Sequence, residues 1–253
     1  RSRELSFAVV ATRLFPGASL RLTGPVACIC PDGTDLLAVE ESGERILVFN
    51  QALQIRETLA MPNRLVVPRG LAAIRHYVYV YDDRTLYRYN RGRRELEACL
   101  VDVKLAGIVG YSPAEVLVSD ALRGVVWRKG LWGGSRVFLD ATDILHPTAL
   151  AELEEGMFAV LGSAGQVIVV NRAAIVERRL VVGREFQRMS SDRKSRLIFY
   201  SAETRFVMVM DNRQQERFEL DGINHIADLA VWPDRLIVLD GPSRLVVYEF
   251  PTW

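Results

Sequence analysis

A tryptophan flanked by glycines is the most distinctive chemical feature of this sequence. It lies in the segment from Lys129 to Ser135, KGLWGGS, where Leu131 and Trp132 have small neighbours and are expected to project into water. The upstream segment NRGRR concentrates positive charge at Arg91, Arg93 and Arg94. Arginine beside an exposed aromatic side chain is the composition of a binding hot spot. The alternative is that Trp132 folds back over its own sheet and the arginines are only solvated.

Three histidines are the other residues that suggest chemistry. His146 and His225 each precede an apolar run, and Asn224 adjoins the second. A histidine pair near carboxylates serves acid–base catalysis or binds a metal, which would make the protein a metal-dependent hydrolase or lyase. We favour the alternative that each histidine caps the start of a strand. The sequence has no glycine-rich phosphate loop and no GxSxG motif. We therefore predict a non-catalytic protein with no metal site and no cofactor.

A second basic stretch runs from residue 172 to 196. It includes Arg178, Arg179, Arg193 and Lys194. We interpret it as a solvated rim, with RNA binding through phosphate contacts as the alternative. The formal net charge of +1 argues against a globally basic nucleic-acid-binding protein.

These residues are positioned by a repeat. The segment Leu36–Asn50, LLAVEESGERILVFN, reads as a strand, a tight turn and a strand, and related segments recur down the chain. The second strands of the six copies begin at Ile46, Leu86, Val125, Val167, Phe206 and Leu245, in steps of 39 to 42 residues. A step near forty in a strand-rich chain is typical of a propeller blade. Apolar side chains on both faces of these strands indicate sheets covered on both sides.

The repeat predicts an all-β, six-bladed β-propeller with four-stranded antiparallel blades. The 253 residues suffice for one such domain, with blades at about 24–63, 64–104, 105–145, 146–183, 184–222 and 223–253. The last copy lacks a fourth strand, so the apolar run within residues 4–11 is predicted to close the ring, Leu5–Val10 pairing with Leu245–Phe250. Pro147 precedes helix-forming residues, TALAELEE, but the register of the repeat requires an innermost strand there.

Composition indicates a globular protein that is not inserted in a membrane. Apolar residues make up 49% of the chain and charged residues 25%, and no apolar run approaches the ~18 residues of a membrane-spanning helix. Three cysteines without CxxC spacing predict free thiols in a reducing compartment, so we expect an intracellular, cytoplasmic protein.

The units resemble NHL repeats, whose middle reads apolar-apolar-Val-x-Asp, a few polar residues, then Arg-Ile-x-Val-Phe-Asp. The clearest likeness is AVEESGERILVFN, with partial matches in SAETRFVMVMD and LDGPSRLVVYEF. The resemblance implies a six-bladed propeller, and some NHL-type propellers bind RNA through a positively charged face. In that architecture the turns holding Trp132 and Arg93 emerge on one face. We predict an interaction scaffold that binds a protein or peptide there through Trp132, Leu131, Lys129 and the three arginines, with RNA as the alternative partner.

Overall fold

The protein folds as a ring of six β-sheets. The computed structural model describes residues 12–65, 67–154, 156–202 and 204–250. We number the sheets blades 1 to 6 from the sheet that follows the N-terminal strands. The strands of blades 1 to 3 are β3 (Val26–Asp32), β4 (Asp35–Glu40), β5 (Arg45–Phe49), β6 (Ile55–Ala60), β7 (Gly70–Ile74), β8 (Tyr77–Tyr81), β9 (Thr85–Asn90), β10 (Glu95–Val101), β11 (Leu105–Ser112), β12 (Glu115–Asp120), β13 (Val125–Gly130) and β14 (Ser135–Leu139).

The second half of the ring repeats this order, from an inner strand outwards. The strands of blades 4 to 6 are β15 (Pro147–Glu154), β16 (Met157–Gly162), β17 (Gln166–Asn171), β18 (Val176–Val181), β19 (Arg188–Ser191), β20 (Leu197–Tyr200), β21 (Phe206–Met210), β22 (Gln215–Leu220), β23 (Ile226–Val231), β24 (Arg235–Asp240) and β25 (Arg244–Glu249). Neighbours among these 23 strands pair antiparallel within each blade. The six-bladed propeller predicted from the repeat is confirmed, and Pro147 starts a strand.

Hydrophobic packing between blades holds the ring together. The buried apolar residues of the described chain fall into six clusters, each formed by two adjacent blades. Central strands such as β4 and β8 are buried along their whole length, because both faces are covered by neighbouring sheets. The innermost strands also contact one another around the axis, with β23 meeting β3.

The N-terminal end of the described chain closes the ring through two short strands. The strand β2 (Pro16–Arg21) pairs antiparallel with β25 and completes blade 6. The strand β1 (Thr12–Leu14) pairs in parallel with β22, so blade 5 has a fifth strand. Closure by an N-terminal strand is confirmed, but the predicted residues are wrong. Leu5–Val10 lie outside the described residues, and the edge assigned to them pairs with β2.

The physical reason for this error is the exposure of the closing strand. It lies at the outer edge of blade 6, where five of its six residues are exposed and only Leu20 is half-buried. An outer strand needs few apolar residues, and an edge position tolerates proline. The apolar run upstream therefore has the more typical composition of a strand, although PGASLR occupies the edge.

Aspartates organise the turns between the second and third strands. The Asp82 carboxylate accepts hydrogen bonds from the amides of Arg84 and Thr85, at 2.9 and 2.8 Å. The Asp82 side chain therefore caps the turn, because it accepts from two backbone amides that follow it in the chain. Asp240 has a different role. Its carboxylate accepts hydrogen bonds from the amides of Asn224 and His225, which lie just before β23, the inner strand of the same blade.

Asp240 gives a prediction about acid stability. Burial alone would raise the pKa of this carboxyl, but hydrogen bonds from Arg244, Asn224 and His225 outweigh burial and lower it. A carboxyl with a lowered pKa stabilises the fold above its ordinary value and loses that contribution as the pH falls through the lowered pKa. We expect Asp240→Asn to reduce the free energy of unfolding by about 1 to 2 kcal/mol at pH 7. Urea unfolding should show this deficit shrinking below about pH 4, whereas a constant deficit would contradict the assignment.

Candidate functional site

The turn between β13 and β14 presents Trp132 to solvent and keeps Leu131 inside. Leu131 packs against the core between blades 2 and 3, and its amide donates to Ala114 O at 2.9 Å. The Arg88 guanidinium of blade 2 donates to Leu131 O at 2.5 Å. Trp132 is 83% exposed. The prediction of an exposed side chain is therefore confirmed for Trp132 and wrong for Leu131, which anchors the turn.

Lys129 also serves the turn itself. Its Nζ donates a hydrogen bond to Gly133 O, within the same hairpin. This contact brings the ammonium group back over the turn, and an interaction with a partner would have to compete with it. Lys129 keeps its positive charge, but one of its three N–H donors is used within the turn.

The turn between β9 and β10 is shaped by Asn90. Its Oδ1 accepts hydrogen bonds from the amides of Gly92 and Arg93, at 3.0 and 3.1 Å, and Arg94 takes a positive φ of 57°. Asn50 and Asn171 cap the corresponding turns of blades 1 and 4 in the same way. The turn is thus a recurring element of the fold, and blade 2 differs in carrying three arginines in it.

Arg91, which the sequence suggested as a binding residue, is engaged in a contact between blades. It forms an ion pair of 2.6 Å with Asp32 of blade 1, and both side chains are only 20% exposed. The contact is directed away from blade 3, where Trp132 lies. We therefore assign Arg91 to holding blades 1 and 2 together on this face.

Trp132 and Arg93 line one polar cavity between blades 2 and 3. The cavity has a volume of about 480 Å³, and its lining residues are His76, Tyr77, Arg88, Asn90, Arg93, Glu95, Glu97 and Trp132. Neither Leu131 nor Lys129, Arg91 or Arg94 lines it. We call this space the Trp132 cavity.

Sequence reasoning missed the acidic side of the Trp132 cavity. Glu95 and Glu97 alternate along β10, and the register sets them opposite Asn90 and Arg88 of β9. Residues two apart in a strand share a face, so these four side chains form one wall. The sequence signal that could have indicated this wall was the alternation of polar residues along the hairpin, which places every second side chain on the same face.

Arg88 forms the floor of the cavity and is fully engaged. Its guanidinium lies 5.1 Å from the centre of the Tyr77 ring and forms an ion pair with Glu97. With the bond to Leu131 O, these contacts leave the residue 9% exposed. Arg88 thus connects the wall on blade 2 with the turn that carries Trp132.

The second predicted basic surface is dispersed. Arg178 donates to Asn212 Oδ1, and Arg179 donates to Asp143 O at 3.0 Å. Arg193 lies 4.0 Å from the Glu152 carboxylate, and Lys194 forms an ion pair of 3.0 Å with Asp234. Each of the four residues has a partner within the chain, and these partners belong to different blades.

Asp228 is a charged group on β23, the innermost strand of blade 6, with several hydrogen-bond partners. Its carboxylate accepts hydrogen bonds from the Ile29 amide of blade 1 at 2.8 Å and the Tyr200 hydroxyl of blade 5 at 2.7 Å. The adjacent Leu229 amide also donates to it at 2.9 Å, and the Arg188 guanidinium is 3.9 Å away. Burial raises its pKa, against the opposing effects of Arg188, the Ile29 amide and Tyr200. Through these contacts Asp228 joins blades 5, 6 and 1.

The predicted histidine pair has ordinary structural contacts. His146 Nδ1 lies 3.0 Å from Ala121 O, and the His225 amide donates to Asp240. Among the described residues, no group of three or more His, Cys, Asp or Glu side chains is arranged to hold a metal ion. None of the residues that the structure describes belongs to a helix long and apolar enough to span a bilayer.

The closed ring of four-stranded sheets defines the class of this protein as a six-bladed β-propeller. No protein-family model matches the chain, and no curated protein sequence matches it significantly. Solved structures do resemble it. The WD40 repeats of RRP9 align over 88% of this chain and 79% of that one, at 15% identity and a TM-score of 0.64.

Two lyases share the fold at lower identity. Virginiamycin B lyase from Staphylococcus aureus aligns over 91% of this chain and 98% of that chain, at 8% identity and a TM-score of 0.64. A streptogramin B lyase structure aligns over 91% and 96%, at 8% identity and a TM-score of 0.67. At these identities the likeness concerns the fold alone, because one propeller scaffold carries unrelated functions.

Proposed function

We propose that this protein is a non-catalytic interaction module that binds a protein or peptide partner at the Trp132 cavity. The observation that carries the proposal is a Trp132 indole that is 83% exposed on a turn anchored by Leu131 and Arg88. A large aromatic side chain on a fixed support loses little conformational freedom on binding, which is the property of interface hot spots.

The polar wall of the cavity supports a polypeptide partner. Glu95, Glu97 and Arg93 place both signs of charge around the exposed indole. Polypeptide partners offer apolar, cationic and anionic groups within a few residues. A mixed polar rim around an aromatic anchor matches the anatomy of protein interfaces.

The propeller axis supports catalysis less well. Both carboxylate oxygens of Asp228 are already engaged, with Ile29 and Tyr200. We therefore assign Asp228 a structural role, which is to hold neighbouring blades of the ring together.

RNA is the second candidate partner, because Arg93 and an exposed Trp132 share one cavity and combine a phosphate contact with a stacking platform. We rank it second because Asp32 neutralises Arg91 and two glutamates line the same wall. Both features reduce the positive potential that a phosphate backbone needs.

Affinity capture with the full chain tests the proposal. Bait proteins would be wild type, Trp132→Ala and the matched control Leu122→Ala, whose side chain is 71% exposed on the turn between β12 and β13. We expect Trp132→Ala to weaken binding of the purified partner by roughly 30-fold, the size of a 2 kcal/mol hot spot. Leu122→Ala should bind like wild type. Equal binding by Trp132→Ala would contradict the site.

The same experiment separates protein from RNA. Capture at two salt concentrations, with and without nuclease, distinguishes them because binding to a phosphate backbone weakens steeply with salt. A partner held by Trp132 packing should persist at the higher salt and after nuclease treatment. Loss under both treatments would assign the cavity to RNA.

A further inference from the structure

A recurring contact in this protein places an arginine over an aromatic ring while a carboxylate holds the guanidinium. Four arginines in the described part of the chain do this. They are Arg88 with Tyr77 and Glu97, Arg128 with Tyr111 and Glu115, Arg196 with Phe250 and Asp192, and Arg217 with Phe186 and Glu185.

Arg128 shows the geometry most clearly. Its guanidinium carbon lies 4.0 Å from the centre of the Tyr111 ring, and two of its nitrogens donate to Glu115 at 2.7 and 2.5 Å. The ring attracts the face of the cation, while the carboxylate accepts the hydrogen bonds at its edge. A planar guanidinium satisfies both contacts together, which an ammonium group does less well.

The Trp132 cavity has the aromatic ring and the carboxylate of this arrangement without an arginine between them. Trp132 is exposed, and Glu95 has no ion pair with any residue that the structure describes. Glu97 uses Oε1 for Arg88, which leaves Oε2 for another donor. Arg93 lines the same cavity but forms no ion pair with either glutamate among the described residues.

We propose that the cavity binds an arginine side chain of the partner polypeptide, between the Trp132 indole and the carboxylates of Glu95 and Glu97. This inference rests on the proposed function and names the group that is recognised. Arg88 lines the same cavity and already shows a guanidinium bound by Tyr77 and Glu97. Arg93 adds a positive charge to the rim of the same cavity, which disfavours further cations and favours an arginine flanked by neutral or acidic residues.

Blocked tripeptides test the inference on the full chain. The probes are acetyl-Gly-Arg-Gly-amide, the analogue with citrulline, which has nearly the same shape without charge, and the analogue with lysine. Binding is followed by NMR through the indole N–H of Trp132, identified as the signal missing from Trp132→Phe. We expect the arginine peptide to give a saturable shift and the citrulline peptide to bind about tenfold more weakly. The lysine peptide should lie between them.

Glu95→Gln is the matched variant because Glu95 takes no part in the ion pair that holds Arg88. It should bind the arginine peptide roughly five- to tenfold more weakly than wild type. Glu57→Gln, on the exposed outer strand of blade 1, should bind like wild type. Equal binding of arginine and citrulline, or an unchanged affinity in Glu95→Gln, would overturn the inference.

The outcomes for the two proposals are distinct. If a captured partner depends on Trp132 but binds Glu95→Gln as tightly as wild type, the arginine assignment fails and the interaction module stands. If capture is indifferent to Trp132→Ala, the proposed function itself fails, whatever the tripeptides show.

Discussion

Removing the closing strand is expected to produce the largest loss of stability in this protein. A chain that starts at Leu22 lacks β1 and β2, so the outer edge of β25 has no partner and blade 6 keeps three strands. The pairing between β2 and β25 joins five residue pairs, and its hydrogen bonds contribute about 5 kcal/mol together. That is comparable with the whole stability of a typical domain, about 5 to 15 kcal/mol. We expect loss of cooperative unfolding.

The matched control is a chain that starts at Thr12 and keeps both strands. Urea unfolding followed by circular dichroism should give one transition for the control and a shifted, broadened one for the chain from Leu22. An unpaired edge on β25 should also cause association, visible by size-exclusion chromatography. A third chain, starting at Pro16, removes only β1 and should lose about 1 kcal/mol, because that pairing joins three mostly exposed residues. Equal midpoints for the chains from Leu22 and Thr12 would show that the ring does not need β2.

Asp228→Ala is expected to cause the largest loss from a single substitution. The Ile29 amide and the Tyr200 hydroxyl would lose their acceptor at a buried site, and Arg188 would lose its neighbouring charge. We expect the free energy of unfolding to fall by about 3 kcal/mol at pH 7, the cost of breaking a buried charged network from one side. Chemical unfolding at several pH values measures it.

The pH dependence of the stability difference between wild type and Asp228→Asn distinguishes Asp228 from an ordinary core residue. Burial raises its pKa, so the folded chain holds this proton more tightly than the unfolded chain. Its titration stabilises the fold fully below the ordinary Asp pKa and loses that contribution as the pH rises through the raised value. The stability difference between wild type and Asp228→Asn should therefore be larger at pH 4 than at pH 7. A difference that grows with pH would contradict a raised pKa.

These two predictions concern the same seam of the ring. The strand β2 closes blade 6 at its outer edge, and Asp228 joins blades 5, 6 and 1 near the axis. The seam between the last and first blades is where a linear chain must be sealed without a covalent link. The backbone hydrogen bonds of β2 hold the outer edge of blade 6, and the Asp228 carboxylate holds the inner strands. The blades are thus restrained both far from the axis and close to it.

The architecture followed from the sequence because it is built from local, repeated signals. Short apolar strands around polar turns, returning about every forty residues, are sufficient to define blades covered on both faces. The register even outweighed local preference at Pro147–Glu154, where helix-forming residues occupy an inner strand. An exposed side chain in the turn between β13 and β14 was also predictable, because glycines flank the pair Leu131–Trp132. The sequence did not show that only Trp132 would be the exposed one.

Only the tertiary structure decided which residues meet across blades. The hydrogen bond from Ile29 to Asp228 spans 199 positions, and the ion pair between Arg91 and Asp32 spans 59. Spacing along a chain carries no information about such partners, because they depend on how sheets are stacked around the axis. For the same reason Leu131 turned inwards, Lys129 was engaged, and Glu95 joined the wall of the cavity. The sequence thus determined the blades and the exposed tryptophan, while stacking decided the charges beside it.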